Sequence, residues 1–277
     1  MPELPEVETI VRNLRAPLVG RTITGVEITW PRQVVKLSPR EFTDRIQGQR
    51  VKVIGRRGKV LLFTLSAETL FIHLRMSGDL MVVPTGTARE KHAHIVFSLD
   101  DEHELRFKDP RKFGRVSLED MTGKFGPEPL GSEFTATTLA KGLASHSRVL
   151  KPLLLDQTFL AGVGNIYADE SLHRAGIHPL RKSDTLRPEE VSRLWCTLRR
   201  VLHSAIRHGG TDLGDRVYRD GGFRPRVYNR ECRTCKTPIR RITVGQRSTR
   251  FCPRCQRVQG CGLVNPSPTS PTRGSRR

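Results

Sequence analysis

Apolar positions near the N-terminus recur at Val7, Ile10, Val11, Leu14 and Leu18, the three-and-four spacing that gives a helix one buried face. The spacing predicts a helix from Pro5 to about Val19. Pro5 suits a first helical position, Glu6 and Glu8 favour the positive end of the helix dipole, and Gly20 offers a stop. From Thr22 to Val116 the pattern shortens to β-rich runs: Ile23 to Thr29, Val51 to Arg56, Val60 to Leu65, Thr69 to Leu74, Leu80 to Val83, His94 to Leu99 and Glu104 to Phe107. Runs this short, punctuated by Gly, Pro and Asp, predict an antiparallel sandwich. Gly123 to Glu133, containing Gly126-Pro127-Glu128-Pro129, reads as a linker. Helical spacing then returns at Leu139 to Ala144, Pro152 to Gln157 and Asn165 to Arg174, with Ala161-Gly162-Val163-Gly164 turning between the last two. A long helix from Pro188 sets Val191, Leu194, Trp195, Leu198, Val201, Leu202, Ala205 and Ile206 on one face and ends at Gly209-Gly210.

Charge sharpens this outline. The 277 residues carry 48 Lys+Arg against 28 Asp+Glu, a net charge of +20. With 36% hydrophobic residues a core can form, which excludes an acidic disordered chain. Such an excess on a compact chain points to a polyanion, most often nucleic acid, with a solvated basic surface as the alternative. No run approaches the ~18 consecutive apolar residues of a membrane span. The opening MPELPEVETI is acidic where a signal peptide is basic and then apolar. A soluble cytoplasmic protein with no membrane partner is expected.

The positive charge concentrates at one end, because residues 224–277 hold 14 Lys+Arg and one acid, Glu231. Five of the six cysteines lie there too, four of them as Cys232-x-x-Cys235 and Cys252-x-x-Cys255 separated by sixteen residues. Two knuckles of two thiolates close a tetrahedral shell, so one structural zinc ion is expected, with no open position for catalysis. A pair of disulfides is the alternative, which a cytosolic chain disfavours. Ile239 to Val244 and Ser248 to Phe251 read as a hairpin between the knuckles, turning at Gly245 and Gln246 and setting Arg247 near the tip. Cys196 and Cys261 have no place in the pattern, and beyond Gly262 a Pro/Ser/Thr-rich stretch reads as a disordered tail. The expected plan is an α+β multidomain chain: a β-sandwich with a leading helix (1–131), a helical module (132–224), a β-hairpin zinc finger (225–257) and a tail (258–277).

The N-terminus permits chemistry. Removal of Met1 before a small residue would expose the secondary amine of Pro2, and an α-amino group titrates near ~7.7–8.0, so a neutral fraction can attack an electrophilic carbon. Glu3 beside it and Glu6 one turn on offer carboxylates for proton transfer, or else serve only as caps. Lys59, after the turn glycine of Arg56-Arg57-Gly58-Lys59, is either a cleft residue or an exposed hairpin lysine. Met76, Arg111 and Phe113 sit in loop sequences where apolar or planar side chains can wedge between bases. Singly, such residues are more often core. Gly162-Val163-Gly164-Asn165 opens a helix whose free N–H groups attract phosphate.

Together, Met1-Pro2-Glu3-Leu4-Pro5-Glu6-Val7-Glu8-Thr9, Arg57-Gly58-Lys59, His73-Leu74-Arg75-Met76-Ser77-Gly78, Asp109-Pro110-Arg111-Lys112-Phe113-Gly114, Leu153 to Gln157, Ala161 to Glu170 and the four-cysteine finger resemble the formamidopyrimidine-DNA glycosylases over residues 1 to about 257. These are bacterial base-excision repair enzymes with a helix-two-turn-helix module and a zinc finger. The resemblance implies that residues 132–224 are that module. It implies that Pro2 attacks C1′ of a damaged nucleotide, that Glu3 acts as general acid, and that Lys59 assists β-elimination. Arg247 matches the finger-tip arginine associated with δ-elimination. Met76, Arg111 and Phe113 resemble the residues that fill the hole left by the extruded base. His92, Arg111, Lys151 and Asn165 resemble phosphate clamps, with Arg148 a further one. Damaged double-stranded DNA is the implied partner of a monomeric enzyme.

Two places depart from the family pattern. Arg75 stands where glycine is usual, and Gly210 to Cys232 is several residues shorter than in the usual members, where a loop folds over flipped 8-oxoguanine. Weakened excision of 8-oxoguanine relative to formamidopyrimidines is therefore expected. A sibling of the endonuclease VIII type acting on oxidised pyrimidines, and a noncatalytic DNA-binding relative, are the alternatives.

Overall fold

A computed structural model describes residues 1–211 and 222–257. Helix α1 (Leu4–Leu18) carries Pro5 in its first turn and is bound at its start by the Glu3 N–H, which donates to Glu6 Oε2 at 2.8 Å. It stops at Leu18, and Gly20 takes the left-handed conformation (φ 93°) that suits glycine. Eight strands follow: β1 (Ile23–Ile28), β2 (Val53–Arg57), β3 (Val60–Thr64), β4 (Thr69–His73), β5 (Asp79–Pro84), β6 (Ala93–Leu99), β7 (His103–Lys108) and β8 (Arg115–Ser117). They form two antiparallel sheets, ordered β1-β6-β7-β5 and β2-β3-β4-β8. Alternate residues of both sheets, among them Ile54, Phe63, Ile72, Ile95, Phe97 and Phe107, meet the apolar face of α1 in one buried cluster. This is the expected sandwich with its leading helix.

Two elements of this half escape the sequence pattern. Helix α2 (Pro39–Ile46) lies inside the β-rich region, where Ser38 accepts the Glu41 N–H at 3.1 Å and Phe42 and Ile46 are buried. Strand β8 is only three residues long, too short for alternation to reveal.

A second buried cluster gathers α3 (Ala136–Ala144), α4 (Leu150–Leu155), α5 (Asn165–Ala175) and α6 (Pro188–Arg207), with Leu4 of α1 joining it. Helix α3 starts three residues before the expected point because Thr135 caps it, accepting the Thr138 N–H at 3.1 Å. Helix α4 lies two residues earlier than expected. Asp156 and Gln157 leave it, and Gln157 instead brackets the glycine turn, donating to Val163 O at 3.0 Å and accepting the Gly162 N–H at 2.9 Å. The finger hairpin pairs β9 (Arg240–Val244) with β10 (Arg247–Phe251). Its turn residues Gly245 and Gln246 both have positive φ, 54° and 61°, the conformation that matches strand twist in a two-residue hairpin. A Cβ on Gly245 would lie 2.9 Å from Pro152 Cγ, so the hairpin turn rests against α4. No described helix is long and apolar enough to cross a membrane.

Candidate active site and nucleic-acid interface

The start of α1 faces the start of α5. Leu4 N–H donates to Gly162 O at 3.0 Å, and the Glu3 carboxylate accepts the N–H groups of Ile166 (3.0 Å) and Tyr167 (3.4 Å). The approach is possible only because Gly164 lacks a side chain: a Cβ there would lie 2.2 Å from Glu3 Cδ. Glu3 is therefore both the cap of α1 and an acid lodged at the N-terminus of α5. The dipole and the two N–H groups favour its charged form, but burial outweighs them. With 3% exposure, burial pushes the Glu3 pKa up to about 7 against the pull of Lys59.

Lys59 follows Gly58 (φ 56°) at the β2–β3 turn and is 6% exposed, which settles the choice between cleft and surface in favour of the cleft. Its hairpin is clasped from outside. Gly58 N–H donates to Glu128 Oε1 at 2.5 Å, while Arg56 bridges Glu8 (2.9 Å) and Glu128 (2.7 Å). Burial lowers the Lys59 pKa, and the charges of Glu3 and Glu6 oppose the shift. A buried acid and a buried amine, each moved toward its neutral form, mark this as a candidate site for proton transfer.

Glu3 and Lys59 line a cavity of about 740 Å³ with Met1, Arg75, Met76, Phe113, Asn165 and Arg247. Two further cavities are smaller, of about 420 and 190 Å³. Pro2 is buried beside Glu3, while Met1 is 49% exposed. Arg247 reaches the cavity from the first position of β10, is exposed, and its guanidinium makes no hydrogen bond or ion pair among the described residues. Met76 and Phe113 are exposed at the rim, 43% and 47%, with the Arg111 guanidinium 5.1 Å from the Phe113 ring centre. Arg75 lines the wall with φ 54°, which explains why glycine suits this position.

Asn165, on the cavity wall, donates to Ser248 O at 3.0 Å, and its Oδ1 is buried without a partner among the described residues. His92 is half-buried outside the cavity, with its ring 6.2 Å from that of His94. Arg148 pairs with Asp156 at 2.8 Å and is also outside it.

Lys151 differs from the surface clamp that the resemblance implied. It is 0% exposed, and its ammonium lies 2.7 Å from Asp169 Oδ1, 2.7 Å from Thr249 Oγ1 and 3.0 Å from Ser248 O. Asp169 Oδ2 in turn accepts the Arg250 N–H at 3.0 Å. Lys151 thus pins β10 to α4 and α5, just beyond Arg247, and presents no free donor to a phosphate.

One contributor, Glu6, was legible only as a carboxylate for proton transfer or a cap, and others were not legible as site residues. Glu6 Oε1 accepts the Tyr167 hydroxyl at 2.5 Å and the Thr211 N–H at 2.8 Å, tying α1, α5 and the chain after α6 together. Tyr167, Asp169, Glu128 and Gln157 carry no spacing signal, because each acts on a partner that the local pattern does not mark.

The four finger thiols lie within 4.8 Å of one another, with Sγ–Sγ separations of 3.8 Å for Cys232–Cys255 and 3.4 Å for both Cys235–Cys252 and Cys235–Cys255, and no disulfide among them. A tetrahedron with Zn–S of ~2.3 Å has S···S edges of ~3.8 Å. Cys232, Cys235, Cys252 and Cys255 therefore fit one structural zinc ion, and all four positions of its shell are taken by sulfur.

Comparison with known proteins places this site. The Formamidopyrimidine-DNA glycosylase N-terminal domain matches residues 1–116, the Formamidopyrimidine-DNA glycosylase H2TH domain residues 125–216, and the zinc finger found in FPG and IleRS residues 231–258. The formamidopyrimidine-DNA glycosylase of Herpetosiphon aurantiacus is 46% identical over 274 residues, covering 92% of this chain and 100% of its own. That of Chloroflexus aurantiacus is 47% identical, covering 92% and 98%. Among solved structures, MutM in complex with DNA containing carbocyclic 8-oxo-G superposes with a TM-score of 0.84 at 34% identity, covering 93% of this chain and 100% of that one. A Lactococcus lactis Fpg bound to abasic-site DNA superposes with 0.86 at 33%, covering 92% and 100%. Domain order, fold and finger agree with these matches: the chain belongs to the formamidopyrimidine-DNA glycosylase family.

Proposed function

We propose that this protein excises oxidised purines from double-stranded DNA and then cuts the strand, through a covalent imine formed by Pro2. While Met1 is attached, the Pro2 nitrogen is an amide and no nucleophile; its removal leaves a secondary amine at the cavity. That nitrogen attacks C1′ of the damaged nucleotide as the C1′–N bond to the base breaks. Glu3, half protonated near pH 7, acts as general acid while the base departs. The sugar ring then opens, the C1′–O4′ bond breaking as O4′ takes a proton, and the iminium left at C1′ acidifies C2′, so loss of a C2′ proton expels the 3′ phosphate, a step Lys59 assists as proton carrier. A second elimination expels the 5′ phosphate, beside which Arg247 supplies positive charge. Water then releases the sugar fragment and restores the amine.

The interface follows the same logic. Met76 and Phe113 stand at the cavity rim with Arg111 against the Phe113 ring, where the three would occupy the space of an extruded base, and extrusion costs least for a poorly stacked lesion. His92, Arg111, Asn165 and Arg148 supply binding to phosphate that carries no sequence information. Zinc holds the finger that carries Arg247 and serves binding, not bond breaking. The enzyme acts as a monomer in the bacterial cytoplasm.

The observation that carries this reading is the buried Glu3 against α5, with Lys59 in the same cavity. The test is single-turnover excision of formamidopyrimidine, 8-oxoguanine and oxidised pyrimidines opposite cytosine or their usual partners. Excision of the formamidopyrimidine fastest is expected, with 8-oxoguanine slower because of the short stretch after Gly210. Much of that stretch, residues 212–221, lies outside the described residues. Equal purine rates would remove the preference, and faster pyrimidine excision would overturn the substrate class.

A further inference from the structure

Met76 lies in one loop, Arg111 and Phe113 in another, and the proposed function, on which this inference rests, sends all three into the same gap in a duplex. Both loops meet at a single carboxylate. Asp109 follows β7 directly and is 0% exposed. Its Oδ1 accepts the Ser77 hydroxyl at 2.5 Å and the Arg111 N–H at 3.3 Å, and that N–H also points at Ser77 Oγ, 3.2 Å away. Its Oδ2 accepts the Gly114 N–H at 2.6 Å and Gln33 Nε2 at 3.2 Å. The Asp109 N–H donates to His92 O at 2.9 Å. Ser77 adjoins Met76, while Arg111 and Gly114 bracket Phe113, so one anion is bound by both loops.

The packing repeats the pattern. A Cβ built on Gly78 would lie 2.8 Å from the Phe107 ring, and one built on Gly114 would lie 2.3 Å from it. Phe107 is itself fully buried on β7, so its ring is the bed on which both loops lie. From outside, Lys112 Nζ sits 4.0 Å from the centre of the Trp30 ring and holds the second loop in place.

We infer that Asp109 is a positioning residue that joins Met76, Arg111 and Phe113 into one rigid wedge before DNA is met. A buried carboxylate must keep its donors, and here the donors belong to the two loops, so separating them strips the anion of hydrogen bonds. A wedge already assembled has no ordering cost left when it enters the stack. Asp109 therefore acts on extrusion of the base and not on the bonds broken afterwards.

Ser77→Ala removes the side chain that bridges the loops at a partly exposed position. Asp109→Asn keeps the shape but turns an amide donor toward donors. For each variant, two rates are compared: excision of a formamidopyrimidine from a duplex, and cleavage of a preformed abasic site in a single strand, where no base has to be extruded. The ratio of the first rate to the second is expected to fall about tenfold in Ser77→Ala, the equivalent of one buried hydrogen bond, further in Asp109→Asn, and to recover in Ser77→Thr, which restores the hydroxyl. A wild-type ratio in Ser77→Ala, or a parallel loss of both rates, overturns the inference. Failure of the wild-type enzyme to cleave the single-stranded site would overturn the covalent reading beneath it, and this inference with it.

Discussion

At the scale of single residues, the chemistry turns on Glu3. Its carboxyl is held near pKa 7 by burial, so as general acid it is competent only while protonated. Because the Pro2 amine must also be neutral, excision is expected to peak between about pH 7 and pH 8 and to fall above that as Glu3 loses its proton, and a rate still climbing well above pH 8 would exclude the role. The same shift has a stability consequence of definite sign. A folded pKa raised above the ordinary 4.5 means that Glu3 contributes fully below that value and loses its contribution as pH rises through about 7, by at most on the order of 3 kcal/mol. Glu3→Gln should therefore improve in Tm relative to wild type between pH 5 and pH 8 while losing excision. Gly164→Ala tests the geometry independently. Its Cβ would collide with Glu3, and displacing a reacting group by about 1 Å costs on the order of a hundredfold in rate. Wild-type excision by Gly164→Ala would contradict the placement of Glu3. Residue types had left Glu3 divided between helix cap and acid; the structure shows the cap, with the carboxyl buried at the start of α5 beside the cavity. The burial of Lys59 could not be read from Arg56-Arg57-Gly58-Lys59, because Glu128, far along the chain, holds that turn.

At the scale of elements, local patterns sufficed where each strand or helix buries its own periodic face, as in α1, α6 and the seven longer strands of the sandwich. They failed where a cap overrode the texture, as at Ser38 before α2, and where tertiary packing set the outcome. Lys151 is the clearest instance. The family resemblance implied a phosphate clamp, yet docking of β10 onto α4 and α5 buries it against Asp169. Burial lowers the Lys151 pKa and raises that of Asp169 to about 6, so each is moved toward neutrality in spite of the other. Such a pair adds little stability but is costly to break from one side. Lys151→Met should destabilise the protein by about 3–5 kcal/mol in chemical denaturation, and Lys151→Met with Asp169→Leu should recover most of that loss. If the single variant proves as stable as the double, the bracket is not holding the finger.

At the scale of the whole molecule, the excess charge, the finger and the cavity converge on DNA. The charge bias and the cysteine spacing were legible at once, because electrostatics and metal ligation depend on residue type and spacing alone. The cavity was not, since its walls come from the first residues of the chain, three sandwich loops, the start of α5 and the finger tip. Removing zinc should unfold the finger and withdraw Arg247 and its basic neighbours. DNA affinity should fall, and the slope of log K against log salt should shrink by about 0.9 for each phosphate that is no longer neutralised. Chelated protein with unchanged affinity and slope would show that the finger does not touch DNA. The central chemistry is narrower: the terminal amine of Pro2 becomes bonded to the sugar. Borohydride reduction of the enzyme on an abasic duplex, followed by mass analysis of the trapped N-terminal peptide, measures it directly. A sugar adduct on Pro2 with Met1 gone is the expected result, with no adduct from Pro2→Gly beyond a small residue. An adduct on Lys59, or active enzyme retaining Met1, would contradict it.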